Sequence, residues 1–596
     1  MTIKVRQKYL LLKWFAVSLV FCAVLLGGLT FYLSIKLKPI ITTELKDLVL
    51  KATGGLYRIE FSEVNTNVLT GISAIKDVEI IPDTNVFNQM ILSKRAPNNL
   101  YHVKLKKLSV RNFHPLRVYQ KKKLDIDLLL FENPAIVMTN KQFDFNEDKS
   151  PIPKRSPYDY IARYLKELRV KTIDFRNIHF KYVNNNLAKP TTDTIANLNI
   201  ILKDWLIDPH SAVDSSRIYL VKEVMINLHN YRFASPDSLY HVNFKQLDFS
   251  SATGKLNIKN LSVLPRLDEQ NFAKAAGYAK DRYHVEMNEI GLSGVNLQLY
   301  VLKQDLSAQE MNVSDGHISV FNNNAFPRSS GNKIGRYPHQ LLQRAASELY
   351  IGKLNISNVL FSYAQFDRDS QRKGVITFER TSGTVLNLTN VPKAKARNHL
   401  ITADLSTYMM GSGKLDVQFR FDLAAQDGAF SYSGTLKNMD GRDMNRITKP
   451  LGLLQVQSGI AKKLEFNIKA NDREANGQLK FAYNNLSVAL LRKVKGEDRL
   501  VKQGLMSILA NAMVLSPDNP RKDGVFVTAP IHFKRPDSAS FFSFIWKTLF
   551  QGIKHSIGIT PAKEAEIKQR VARFEKMKRD REQRRTAREK RRAAQQ

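Results

Sequence analysis

The sequence predicts a mainly β protein: an N-terminal transmembrane helix, then a long curled antiparallel β-sheet, groove-like, with a few short helices and a basic C-terminal tail. Three observations predict it. Residues Trp14 to Ile35 form a 22-residue run without a charge, and about 20 apolar residues cross a bilayer as a helix. Short stretches of alternating apolar and polar residues, each broken by a polar step ending in Asn, Asp or Gly, recur along the chain. That is the period of a strand with one apolar face. There is no rhythm of strands and long crossover helices, which argues against a parallel doubly wound fold.

Taken in order, Lys4, Arg6, Lys8 and Lys13 precede the apolar run with no acidic residue among them. The positive-inside rule then places residues 1–13 in the cytoplasm and the bulk of the chain outside. Lys36 and Lys38 follow the run, but four basic residues outweigh two. No small-residue cleavage site precedes Lys36, so 14–35 reads as a signal anchor rather than a cleaved signal peptide. Residues 36–84 open with an amphipathic segment, Ile41 to Ala52, stopped by Gly54-Gly55. Residues 85–433 are the β-repeat body, 434–537 a C-terminal module, 538–560 an amphipathic helix and 561–596 the basic tail. Further helices are expected at Tyr158–Val170, Pro338–Tyr350, Leu500–Leu515 and Phe541–Ile557.

The repeated unit is clearest in IDFRNIHFKY (173–182), INLHNYRF (226–233), LNIKNLSV (256–263), IGLSGVNLQLY (290–300) and LNISNVLFSY (354–363), with weaker copies at 74–80 and 108–115. With Arg176-Asn177 as a two-residue hairpin loop, Phe175 pairs with Ile178 and Ile173 with Phe180, and all four project from one face. The same arithmetic groups Leu256, Ile258 and Leu261, and likewise Leu354, Ile356, Val359 and Phe361. These eleven residues are the candidate apolar face. Asn and Gly tolerate the left-handed conformation of a tight hairpin. The residue before the Asn (Arg, Lys, Ser, His) suits such a turn poorly, so a bulge or corner in one longer strand is the alternative. A one-sided sheet must have its apolar face covered. It curls around an apolar ligand, or it packs as a sandwich whose faces bury each other; composition leaves both open.

Composition bounds the function. The 596 residues are 43% hydrophobic and 24% charged, which is globular. Lys and Arg number 91 against 55 Asp and Glu, a net charge of +36. Such an excess favours anionic partners: phospholipid headgroups, lipopolysaccharide or nucleic acid. The single cysteine, Cys22, lies inside the apolar run, which excludes an intramolecular disulfide and a Cys-rich zinc site. The tail from 563 holds 14 Lys or Arg against 6 Asp or Glu and one aromatic, Phe574. It reads as a solvated helix or a disordered segment with no nucleic-acid recognition motif. Before it, Ile545, Trp546, Leu549, Ile553 and Ile557 fall at helical spacing, which suits an interfacial membrane helix or a plug in the end of the sheet.

Catalytic signatures are missing. GSGK at 411–414 has Tyr408 where a phosphate loop needs Gly and Leu415 in its Ser/Thr slot. The twelve histidines form no H-E-x-x-H or other close ligand pair, and His179, His229 and His317 read as sheet histidines. No G-x-S-x-G is present. The expectation is a protein that is not an enzyme, with no cofactor, metal or catalytic residue.

Two stretches carry a resemblance. Residues 41–83, ITTELKDLVLKATGGLYRIEFSEVNTNVLTGISAIKDVEIIPD, run from a helix through Gly to a strand, then N-x-L-x-G, then a strand ending in Pro-Asp. This resembles the opening of AsmA-family proteins, just after a single inner-membrane anchor. Residues 434–491 contain L-x-x-M-D, P-L, V-Q-S-G and A-N-G-x-L-x-F-x-Y-x-N-L in that order, which looks like the AsmA-type C-terminal module. SFIWKTLFQGI resembles its close in Bacteroidota-type members. The two stretches cover about a sixth of the chain. The resemblance implies a periplasmic β-groove protein of the AsmA or bridge-like lipid-transfer type, with phospholipid and the inner membrane as partners and a role in outer-membrane lipid supply and envelope integrity. Two rival classes stand beside it: an assembly factor or scaffold that holds outer-membrane or other envelope proteins at its sheet edges, and an envelope enzyme whose carboxylates meet only in the fold.

Overall fold

The computed structural model describes residues 46–560, apart from 48, 52, 68–71, 115–116, 118–119, 147–155, 164, 187–189, 236, 328–330, 369, 494–499 and 503–515, and describes scattered residues of 562–584. The anchor expected at 14–35, residues 1–13, most of the basic tail and most of the helix expected at Leu500–Leu515 lie outside the described residues. Among the described residues no helix is long and apolar enough to cross a membrane. The protein is mainly β, as expected. It divides into two compact units: unit 1 is Met1–Arg266, His284–Gly316 and Ala345–Asn355, and unit 2 is Leu267–Tyr283, His317–Arg344 and Ile356–Gln596.

Unit 1 is a ladder of strands β1 (Tyr57–Glu60), β2 (Glu63–Asn67), β3 (Ile72–Pro82), β4 (Asn99–Phe113), β5 (Lys123–Asn140), β6 (Glu167–Asn184), β7 (Thr191–Ile207), β8 (Glu223–Ala234), β9 (Tyr240–Ser250), β10 (Lys255–Pro265) and most of β11 (Arg282–Ser293). Strands β1 and β2 pair with β3, and from β3 each strand pairs with the next. The expectation of a purely antiparallel sheet is corrected at one place. Strands β5 and β6 are parallel, Lys123 opposite Glu167 and Asn140 opposite Asn184. A parallel neighbour needs a crossover back to the starting end. Residues 141–166 supply it and carry the short helix α1 (Pro157–Ile161). The helix expected at Tyr158–Val170 therefore ends early: Leu168 and Val170 are fully buried in β6, and pairing to β5 overrides the local helical spacing.

The expected hairpins are not formed either. Residues 173–182 lie within β6, 256–263 within β10 and 354–363 within β13 (Leu349–Phe366), the strand after β12 (Leu306–Asn323). The alternative holds: each Asn is a kink in one long strand. A tight hairpin of this kind needs positive φ at both loop residues, and here only the Asn has it, at Asn177 (56°), Asn260 (52°) and Asn358 (53°). The kinks of unit 1 recur from strand to strand. Asp77, Asn133, Asn177, Asn197, Asn230 and Asn260 have φ of 51–57°; Asn133 and Asn177 stand side by side on β5 and β6, while Asn177 faces Asn199 and not Asn197 on β7. The Asn177 side-chain amide donates to Asn133 Oδ1 (2.7 Å), and its backbone N–H donates to Asn199 Oδ1 (2.8 Å). An extra or left-handed residue bends a strand and sharpens its twist, so each of these strands is bent at its own Asn or Asp.

Unit 2 contains β14 (Lys373–Thr389), β15 (Leu400–Met409), β16 (Gly413–Asp422), β17 (Phe430–Asp440), β18 (Leu454–Ala470), β19 (Glu474–Lys493), β20 (Leu500–Lys502) and β21 (Thr528–Lys534). Each of β14 to β18 pairs antiparallel with its successor, and β19 takes both β20 and β21. The helix expected at Pro338–Tyr350 is shortened to α2 (Pro338–Gln343), because Leu349 already starts β13. The preceding turn is locked. Arg535 pairs with Asp472 (3.1 Å), lies 4.2 Å from the Tyr337 ring centroid and donates to the Lys333 carbonyl (2.7 Å). Gln340 donates to the other Asp472 oxygen (2.8 Å). Beside it His339 is buried against Phe421 and Phe430.

The last helix, α3 (Phe541–Ser556), forms as the sequence predicts, and it packs as a plug on β19 and β21. Its seat differs from the predicted stripe. The buried line is Phe544, Thr548, Gly552 and Ser556, and Ile545, Trp546, Leu549 and Ile553 of the predicted stripe pack against the core beside it. A Cβ on Gly552 would lie 2.9 Å from Ile531 Cδ1 and 3.0 Å from Leu479 Cβ, so small residues set the close approach of helix to sheet.

Replacing Asn177 with Val puts a β-branched residue in the left-handed region and breaks the bond to Asn133. The expected loss is about 1–3 kcal/mol, whereas Asn177→Gly loses much less; urea unfolding followed by circular dichroism compares the two. A second expectation concerns pH. Burial pushes the His339 imidazole below its usual range; the Gly428 backbone, Asp472 and Asp422 pull it back by less. Its contribution to stability is fully present above the unfolded value of about 6.5 and is lost as pH falls through the lower folded value. The melting temperature should fall between pH 7 and 5, and less steeply in His339→Leu.

Candidate functional site

The candidate face is built by cross-strand register. Phe131 of β5 stands beside Phe175 of β6, then Ile200, Ile226, Phe249, Leu256 and Leu292 follow on β7 to β11 as one row. A second row runs Ile178, Leu198, Leu228, Leu247, Ile258 and Ile290. Seven strands at roughly 4.8 Å spacing give the first row a length of about 30 Å. The rows stay on one face because of the kinks. In a plain strand, residues three apart, such as Phe175 and Ile178, point to opposite faces; the left-handed Asn177 between them restores the face. The same holds for Ile75 and Val78 around Asp77, and for Leu436 and Met439 around Asn438 in unit 2, all four buried.

The eleven candidates divide between the units. Ile173, Phe175, Ile178, Phe180, Leu256, Ile258, Leu261 and Leu354 belong to unit 1, and Ile356, Val359 and Phe361 to unit 2. Ile173 (0% exposed), Phe175 and Ile178 belong to a closed core that includes Val49 and Ile161. There the Phe131 and Phe175 rings stack at 4.4 Å between centroids, and Phe180 packs at its margin. The face is less closed farther along. Leu256, Ile258 and Leu261, with Ile226 and Leu247, are half-buried beside the buried Leu228, Phe249, Ile290 and Leu292. Leu354, Ile356 and Phe361 are half-buried and Val359 is buried. In unit 2 the face of β16 to β18 is closed by an aromatic cluster of Phe419, Phe421, Phe430 and Tyr432 with Tyr337 and Phe541. Burial pushes the Tyr432 phenol well above its usual range.

The cross-strand partners Leu198, Leu247 and Phe249 were not among the sequence candidates, since pairing register leaves no local mark. Ile226, Leu228, Ile290 and Leu292 sit in recognised repeat copies, and that spacing was the available signal.

The opposite face is polar. Lys104–Glu79 (3.0 Å), Lys107–Glu132 (3.3 Å), Lys171–Asp127 (2.6 Å) and Lys203–Glu223 (3.3 Å) pair across strands. The hydrogen bond from Lys171 is the largest influence on Asp127 and holds its carboxyl below the usual range. A cleft of 360 Å³ is lined by Asn199, Asn227, Asp248 and Asn257 together with the apolar Ile201, Met225, Ile226 and Phe249. Its one carboxylate, Asp248, accepts from Asn227 and from Gln246 (2.6 Å). His179 is bonded to the Asn177 carbonyl and His317 to Ser362, each within the sheet. GSGK forms the turn between β15 and β16, with Met409 opposite Gly413. Among the described residues no three His, Cys, Asp or Glu side chains are grouped to hold a metal ion.

In comparison with known proteins, no protein-family model matches the chain and no curated protein is significantly similar to it.

Truncation should separate the closed and half-open parts of the face. Phe175→Ala is expected to cost about 3–5 kcal/mol and Ile258→Ala about 1 kcal/mol, read from denaturant midpoints at equal slope.

Proposed function

We propose that this chain is an AsmA-type protein, anchored in the inner membrane by residues 14–35 with its bulk in the periplasm, that binds or conducts phospholipid acyl chains along the apolar face of its sheet to supply outer-membrane lipid. The observation that carries the reading is the pair of continuous apolar rows across β5 to β11, half-buried at Ile226, Leu247, Leu256 and Ile258. Support for the anchor is the uncharged run and the four basic residues before it. The bilayer hydrocarbon core is about 30 Å thick, so a row of that length accommodates an acyl chain lying along it. Each methylene taken from water contributes about 0.8 kcal/mol. The headgroup stays toward water, where a chain of net charge +36 favours anionic lipid. The reading assigns no catalytic step and needs no cofactor.

Photocrosslinking in cells tests it. A photoreactive residue replaces Leu247, Leu256 or Ile258 on the half-open rows, with the outward Arg176 and Lys259 as controls and the packed Phe175 as an internal reference. Mass spectrometry should find phospholipid adducts at the three inward positions and none at the controls. Adducts to envelope proteins instead would move the reading to an assembly factor. Adducts only within the chain would make the face a packed scaffold.

A further inference from the structure

Three basic side chains meet at one end of β8, β9 and β10. His241 of β9 stands opposite Ala234 of β8 and Leu264 of β10. Arg232 lies two residues before Ala234, and Arg266 two residues after Leu264, just past the end of β10. The two arginines are thus diagonal neighbours of His241 on the flanking strands, a separation that long side chains bridge. Both are exposed. Side chains alternate along a strand, so this group stands on the polar face, while Phe233, Val242 and Val263 line up on the other. Elsewhere on the polar face cations pair with carboxylates across strands, as Lys107 does with Glu132 and Lys203 with Glu223. Arg232 and Arg266 have no ion-pair partner among the described residues; Arg266 donates to the Ser238 carbonyl (3.2 Å). In the adjoining turn Asp237 accepts from Ser235 and Leu239. On β11 Glu286 stands opposite Ser262 and lies 3.4 Å from His284 Nε2. The Nδ1 of His241 is enclosed without a hydrogen-bond partner, which leaves Nε2 to meet a ligand. Loss of water around the ring, and then the charges of Arg232 and Arg266, hold this imidazole below its usual range.

We infer that Arg232, His241 and Arg266 form a binding site for a phosphate group. Each guanidinium presents a planar fork of N–H donors that suits an oxyanion. A carboxylate is planar and fills one fork. A tetrahedral phosphate dianion meets both forks and the imidazole, and it balances the charge that the arginines leave uncompensated. Like charges so placed repel; a bound anion offsets the repulsion and draws a proton onto His241. An anion of fixed charge therefore binds more tightly as pH falls. The phosphate is that of a phospholipid headgroup or a free ion. The site lies on the polar face and stands whether or not the apolar rows hold lipid.

The single cysteine makes a local test possible. The full chain carrying Cys22→Ser is held in phosphatidylcholine nanodiscs. An environment-sensitive fluorophore is attached at Ala234→Cys, opposite His241, or at Ala252→Cys, at the other end of β9, as a control. Inorganic phosphate is titrated at an ionic strength held constant with chloride. The expected result is a saturable response at position 234 and none at 252, weakened about tenfold or more in Arg232→Gln/Arg266→Gln with unchanged circular dichroism. Arg232→Lys/Arg266→Lys keeps the charges but loses the forks and should weaken it by less. Sulfate, a dianion throughout, should bind more tightly at pH 5.5 than at pH 7.5, and equally at both in His241→Gln. In a second arm, vesicles of phosphatidylcholine with phosphatidic acid replace the phosphate. A response at a lower phosphate concentration than the free ion needs identifies a lipid headgroup; a response to inorganic phosphate alone identifies the free ion; either upholds the site. The inference is overturned by no saturable response to either probe, by an equal response to chloride or at position 252, or by a glutamine double variant that responds as the parent does. A sulfate affinity independent of pH overturns the part assigned to His241.

Discussion

A left-handed residue in the middle of a strand is the constraint on which the rest of this structure depends. Side chains alternate along a strand, so a strand of 18 residues such as β6 needs its apolar residues in step from end to end. Here they fall out of step by one at Asn177, Asn260 and Asn358, and positive φ at each of those residues puts them back. A non-Gly residue pays about 1–2 kcal/mol for that conformation, and Asn reduces the cost by local hydrogen bonding. The alternative is worse: beyond each kink the apolar half of the strand would face water and the charged half the core. The same correction is made separately in β3, β5, β6, β7, β8 and β10, at Asp77, Asn133, Asn177, Asn197, Asn230 and Asn260.

This explains which part of the design was legible in the sequence. The spacing that makes Phe175 and Ile178 neighbours on one face is local, and so is the need for Asn between them. A hairpin and a kink ask for the same residue at that position, however, and what decides between them is distant. Strand β6 continues past Asn177 because β5 lies along one edge and β7 along the other, and β5 pairs in parallel. The same non-local pairing cuts short the helix expected from Tyr158. Nor could spacing tell a packed residue from a half-open one. Phe175 and Ile258 stand in the same motif and differ only in what lies over them: Val49 and Ile161 join the core around the first. On α3 the helical period was readable, but the seat was not. A stripe of Thr, Gly and Ser looks like a polar face until the sheet beneath requires close approach.

Unit 2 makes the contrast sharper. Its face over β16 to β18 is sealed by rings, with Tyr337 held by a buried ion pair and α3 fixed by Gly552. Breaking a buried pair such as Arg535–Asp472 leaves a charge without a partner, which is costly, so this cover is built to stay. The rows at β8 to β10 have a different character. Several of their large side chains are half-buried, although the residues on either side are fully buried.

Half-burial is a disadvantage for a scaffold and an advantage for a carrier. A sandwich gains most by excluding water from both faces, at roughly 25 cal/mol per Å², and gives up part of that gain wherever Ile258 or Leu256 stays accessible. An acyl chain must leave one bilayer and enter another, and a site that buried it fully would hold it. Each methylene is worth about 0.8 kcal/mol against water, so a chain lying on a half-open row recovers a fraction of what the membrane gave it. Its free energy then lies between water and bilayer, low enough to enter and high enough to leave. Uniform, unspecific rows fit that requirement better than a deep pocket, because no position along them is a trap. On the proposed reading, the kinks keep the apolar face continuous and the incomplete cover keeps it reversible.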